Sequence, residues 1–262
     1  MRSYATDAGT VFIANMLGAL AALGVQASLA WLLMPAGRGQ YAAGLVFATV
    51  LVLTFALGQE MANVFHVGSG ALTPSQATSQ SLAVGVVVSA CACAVGYALT
   101  RTSLPFLNKA PVQVFHAALL CVPAALFHMY LSHILLGLSA ITAYTVITVG
   151  PFVLLLLGLL AGACLGLNVA TALMLQAASN AILAAAALLW LRRRHDARLV
   201  PLDAAALRRS LHYGARFCLG KLCSLANGQI GTIVLLFSTR DAAQVGLFAA
   251  GALVLASALA WP

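Results

Sequence analysis

Residues 168–212 read NVATALMLQAASNAILAAAALLWLRRRHDARLVPLDAAALRRSLH, and the step inside this stretch decides the fold. No charged side chain occurs from Asn168 to Leu191, after which Arg192, Arg193, Arg194, Arg198, Arg208 and Arg209 follow before His212. An apolar run of about 20 residues is what an α-helix needs to cross a hydrocarbon core roughly 30 Å thick. A burst of arginine directly after such a run marks the cytoplasmic end of a membrane span.

Working outward from this span, apolar runs broken by Pro, Gly and charge recur at 11–34, 41–67, 82–100, 112–136 and 141–164 before it, and at 213–237 and 243–262 after it. The reading is an all-α, polytopic membrane helical bundle with eight transmembrane helices. Composition agrees: 63% of residues are hydrophobic and 7% charged, against about 25% charged in soluble domains. The 13 Lys and Arg outnumber the 5 Asp and Glu, but they sit mostly between spans rather than along one soluble face, which excludes nucleic acid as a partner. Membrane lipids are the partner this pattern implies. Arg2 and the apolar run behind it imitate a signal peptide, yet the run is too long for an h-region, so it reads as a retained first helix.

The arginine-rich connection belongs in the cytoplasm, and six spans back the amino terminus lies there too. With Arg2 it opposes Arg38, Arg101, Lys109 and Arg240 on the other side. Within the connection, 204–212 sets Leu207 and Leu211 on one helical face and Arg208, Arg209 and His212 elsewhere, as a helix lying in the interface does. Cys91, Cys93, Cys121, Cys164, Cys218 and Cys223 lie in apolar stretches without metal-site spacing. His116, His128 and His133 do not share one helical face. The sequence assigns no metal and no cofactor.

An internal repeat fixes the domain organisation. Gly39, Tyr41, Ala42, Ala43 and Gly44 match Gly246, Phe248, Ala249, Ala250 and Gly251 at an offset of 207, which also pairs Ala19 with Ala226 and Gly24 with Gly231. Six spans per copy leave both copies pointing the same way, as in transporters built from two parallel halves. The expected division is an N-lobe over 1–191, a basic inter-lobe linker over 192–212, and the start of a C-lobe over 213–262. On this arithmetic the sequence stops two spans into the second half.

The segment Leu33, Met34, Pro35, Ala36, Gly37, Arg38, Gly39, Gln40, Tyr41, Ala42 resembles the turn between the first two helices of polysaccharide flippases in the multidrug/oligosaccharidyl-lipid/polysaccharide exporter superfamily. Leu135 to Leu138 with Tyr144, the arginine run ending the sixth span, Tyr213, Gly214, Ala215, Arg216 leading to Asn227, and Val245 to Ala249 are similar to the same family. The resemblance implies 12 to 14 helices in two lobes, resembling multidrug exporters, around a cavity that opens alternately to either side of a bacterial inner membrane. It further implies an undecaprenyl-diphosphate-linked oligosaccharide as substrate and polysaccharide polymerases or glycosyltransferases as partners. Where many relatives carry Arg and Asp after the seventh-helix Asn, this chain has Gln229 and Gly231.

A diphosphate needs cations where the dielectric is low, because attraction there offsets part of its desolvation. Arg216 and Lys221 are the candidates, with Asn227 further along the same span; the alternative for Arg216 is to reach lipid headgroups from near the interface. In the first span Asn15 and Gln26 lie three turns apart on one face, either lining the cavity or bonding between helices. Arg38, in the first turn, completes the substrate set. Glu60, in the polar stripe Gln59, Glu60, Asn63, His66, is the candidate for ion coupling; the alternative is a structural pair with Arg38 or a polar neighbour. Gly158, Gly162 and Gly166 form a small-residue seam for a neighbouring helix. The chain is expected to be no enzyme, since its connections are too small to hold a catalytic acid or base beside substrate. The rivals are a multidrug or cation antiporter of the same superfamily, which would want acids in the cavity, and a membrane-embedded enzyme of polysaccharide assembly.

Overall fold

The computed structural model describes residues 4–102, 107, 110–238, 243–245 and 247–248. Over these the chain is helical, without a strand: α1 (Tyr4–Phe55), α2 (Gln59–Gly68), α3 (Pro74–Leu99), α4 (Val112–Gly137), α5 (Ile141–Gly162), α6 (Val169–His195) and α7 (Ala204–Ser238). Among the described residues, five helical segments are long and apolar enough to cross a membrane: Val11–Phe55, Pro74–Leu99, Val112–Gly137, Ile141–Gly162 and Val169–His195.

At 45 residues the first of these would be about 67 Å long if straight, over twice a hydrocarbon core. It is not straight. Met34 stands at φ 57°, ψ 168° and Pro35 follows it. Arg38 donates to Gln26 O at 3.2 Å and to Gln26 Oε1 at 2.8 Å, a reach that a straight helix, rising about 18 Å over that interval, forbids. The chain therefore folds back at Met34. Neighbours give the directions. A Cβ on Gly18 would stand 3.1 Å from Val149 and one on Gly24 3.0 Å from Leu156, so the first arm runs parallel to α5. Gly37 and Gly44 of the second arm meet Val169 and Leu173, parallel to α6, while Gly150 and Gly158 of α5 meet Leu183 and Leu175, antiparallel to it. The sequence reading places residues 35–40 in a loop; they are helical, because Pro35 suits the first position of a helix and buried Arg38 is bonded across the reversal.

Helix ends follow local chemistry. Thr73 caps α3 in a reciprocal box with Gln76, with Pro74 behind it. Asn168 Oδ1 accepts Thr171 N–H at 2.8 Å to start α6, which ends at left-handed Asp196 with Arg192 to His195 in its last turn, complementing the helix dipole.

Polarity is inverted relative to a soluble bundle. Leu20 (61% exposed), Trp31 (73%), Val87 and Leu157 face outward, while Gln59, Glu60, Asn63 and Thr78 are fully buried. Hydrocarbon is the solvent that tolerates this arrangement. Cys91, Cys164 and Cys223 are likewise exposed, and Cys121 lies in the core. The small-residue seam is used only in part: Gly158 receives Leu175 of α6, whereas Gly166 is a left-handed turn at φ 71° with nothing against it.

Two further boundaries differ from the sequence reading. The interfacial helix and the seventh span form one helix, α7, since neither Gly nor Pro breaks the chain where they join except Gly214, which packs. Lys221, Asn227 and Gln229 interrupt its apolar stretch, and it is not among the five spanning segments. The linker ahead of α7 and the first turns of α7 are fastened to α3: Arg198 N–H donates to Ser75 Oγ (3.2 Å), Val200 N–H to Ser79 Oγ (2.9 Å) and, from α7, Ser210 Oγ–H to Gln80 Oε1 (3.3 Å). Arg2, Lys109, Arg240, most of 243–262 and with it most of the second repeat copy lie outside the described residues.

Candidate functional site

The run at 41–67, continuous by hydropathy, is broken in the structure. Helix α1 stops at Phe55, Leu57 and Gly58 take left-handed φ of 53° and 65°, and α2 starts at Gln59. Glycine bears this conformation freely; for leucine it costs about 1–2 kcal/mol, and backbone held so is a pointer to function. The carbonyl of Ala56, freed by the break, has two donors. Tyr130 Oη–H, from fully buried Tyr130 on α4, donates to Ala56 O at 2.8 Å, and Gln59 N–H donates to the same carbonyl at 3.2 Å. Gly58 also meets Gly214 of α7 backbone to backbone, leaving no room for a Cβ on either side.

Below the break, α2 presents a polar face to the bundle interior. Gln59 Nε2–H donates to Asn63 Oδ1 (3.0 Å), and Asn63 Nδ2–H donates to Ser81 Oγ (2.8 Å) and to Tyr130 O (3.1 Å). Glu60, in the first turn of α2 where the helix dipole favours an anion, is fully buried. Its Oε1 takes an ion pair from Lys221 Nζ of α7, which also lies 3.8 Å from Met129 Sδ. Among the described residues, Glu60 Oε2 and Gln59 Oε1 are buried with no hydrogen-bond partner. A buried carboxylate held by one cation, with its second oxygen unmet among the described residues, can accept from a further donor or cation.

The remaining candidates separate. Arg216 is five residues before Lys221, about 140° around the helix; it is exposed, 3.0 Å from His212 Nε2, and takes no part in the buried pair. Arg38 binds Gln26 rather than Glu60, so both belong to the reversal at Met34, and Asn15 on the first arm is exposed. Asn227 falls on α7, with its side chain outside the described set. His128 Nε2 meets Ile147 O and His133 Nδ1 meets Met129 O.

Sequence reasoning missed Tyr130, Ser81, Gly58 and Gly214. Leu57-Gly58 before a polar quartet was a signal for the break, whereas one tyrosine inside an apolar run gave none.

No family model, curated protein or solved structure matches the chain. The class defined by the fold and its surface is a multi-pass, all-helical membrane protein.

Proposed function

We propose that the chain belongs to a transporter that flips an anionic lipid-linked oligosaccharide, of the undecaprenyl-diphosphate type, across a bacterial inner membrane by alternating access. The whole transporter has two lobes and 12 to 14 helices, its amino terminus is cytoplasmic, and it serves cell-surface polysaccharide assembly beside polymerases or glycosyltransferases. One observation carries the reading: the Lys221–Glu60 pair joins α7 to the half-helix α2 inside a bundle whose outer surface is apolar. Broken spanning helices with charged groups at the break are where transporters bind their cargo. A diphosphate entering the cavity competes with Glu60 for Lys221, and the carboxylate so released takes up a proton or a sodium ion, which couples cargo to ion. The resemblance of 33–42, 135–144 and 213–227 to polysaccharide flippases supports the cargo class.

Glu60 Oε2, buried and unpartnered among the described residues, favours a second reading, export of a cation in exchange for protons. Transfer of lipid-linked oligosaccharide across vesicles, normalised to inserted protein, separates the two. Lys221→Arg is expected to retain most of the transfer and Lys221→Glu to abolish it. Undiminished transfer by Lys221→Glu, or cation export without oligosaccharide transfer by the parent, would overturn the flippase reading.

A further inference from the structure

The outward face of α7 carries cations that the buried pair does not use. Arg208, His212 and Arg216 recur every fourth residue, so they form one stripe, with Arg209 beside it, and all four are exposed. The opposite face, Ala206, Ser210 and Gly214, is buried against the bundle. Together with His66 at the end of α2 the stripe lines a cleft of about 890 Å³. Tyr213 closes one side of it, stacked on Phe65 with ring centroids 4.5 Å apart and lying 5.4 Å from the His66 ring.

Charge in this cleft is unbalanced. Among the described residues its lining holds no carboxylate. Asp203, the nearest acid along the chain, accepts Ala205 N–H at 2.9 Å to cap the helix, Asp196 pairs with Arg198, and Glu60 pairs with Lys221. Arg216 and His212 stand 3.0 Å apart, two basic groups in contact, and His66 Nε2 is buried with no partner among the described residues. Guanidinium forks and an imidazole around one concavity suit a phosphate, which accepts from several donors at once.

The rest of the lining distinguishes the source of that phosphate. Leu207 and Leu211 form an apolar wall beside the cations, and α7 begins at this cleft, directly after the arginine-rich linker, as basic segments at the headgroup region of a cytoplasmic leaflet do. A site for a soluble anion would turn donors to it on every side, whereas a cationic rim over a leucine wall matches a headgroup with its acyl chains. We infer that the cleft between α2 and α7 binds the phosphate of an anionic phospholipid headgroup, bridging the broken second span to α7 from outside. This site is separate from the Lys221–Glu60 pair and does not rest on the transport reading.

Lipid retention by the purified 262-residue chain in detergent tests this, read by native mass spectrometry with phosphatidylglycerol and phosphatidylcholine of identical acyl chains. The parent should retain phosphatidylglycerol about tenfold better than phosphatidylcholine, and the triple change Arg208→Gln, Arg209→Gln, Arg216→Gln should remove that preference. Lysine at the same three positions should keep at least half of it. The control triple Arg192→Gln, Arg193→Gln, Arg198→Gln removes equal charge outside the cleft and should change retention by less than about twofold. Equal losses in the two glutamine triples would mean diffuse attraction and overturn the site. Displacement of the lipid by micromolar inorganic pyrophosphate would overturn the headgroup assignment in favour of a soluble diphosphate.

Discussion

Glu60 is fully buried and depends on Lys221, whose side chain is 23% exposed. Removing one member of such a pair leaves a desolvated charge without compensation, at a cost of about 3–5 kcal/mol. Lys221→Ala should therefore lower thermal stability in detergent markedly, while Lys221→Gln combined with Glu60→Gln should recover most of the loss. If the double variant unfolds as early as the single one, the pair is not what holds α2 to α7. Tyr130 offers a smaller test beside it. Tyr130→Phe leaves the Ala56 carbonyl, freed by the helix break, one donor short and should cost about 1–3 kcal/mol. At this scale the sequence was half legible. A lone acid in an apolar run announced a site, because ionisable groups within spans seldom lack a role. Its partner was not visible: the sequence offered Arg38 or a polar neighbour, and packing chose Lys221.

Packing at the level of elements turns on Gly58 and Gly214, whose backbones touch where α2 begins. Gly58→Ala meets both the left-handed φ and the backbone of α7. It should loosen the α2–α7 contact, and a cysteine pair placed at Phe65 and Tyr213, whose rings stack, should then cross-link more slowly than in the parent chain. Unchanged cross-linking would mean that the contact survives without the glycines. The run 41–67 reads as one span because hydropathy averages over the break; nothing in mean hydropathy registers two left-handed residues. The join between linker and α7 was missed for the converse reason, as an amphipathic segment and an apolar one share the same helical backbone. The reversal at Met34 was legible from Pro35 and Gly37, and the arginine beside it is bonded across it to Gln26.

For the molecule as a whole, composition alone established an all-helical membrane protein, because few charges and long apolar runs leave no other solvent. Alternating helix directions place the α2–α3 turn, the α4–α5 turn and the 196–203 linker at one end of the bundle, and the linker is bonded there to Ser75 and Ser79. In a background without the native cysteines, an impermeant reagent applied from the periplasm should label a cysteine at Gly37 and spare one at Asp196; the reverse pattern would invert the topology. In the proposed mechanism Glu60 and a diphosphate compete for Lys221. The most direct measurement is the affinity of purified protein for undecaprenyl diphosphate, compared between the parent and Glu60→Gln. Freeing Lys221 from its carboxylate should tighten binding by about five- to tenfold, because the competing state is lost. Binding that is unchanged or weaker in Glu60→Gln would contradict the claim.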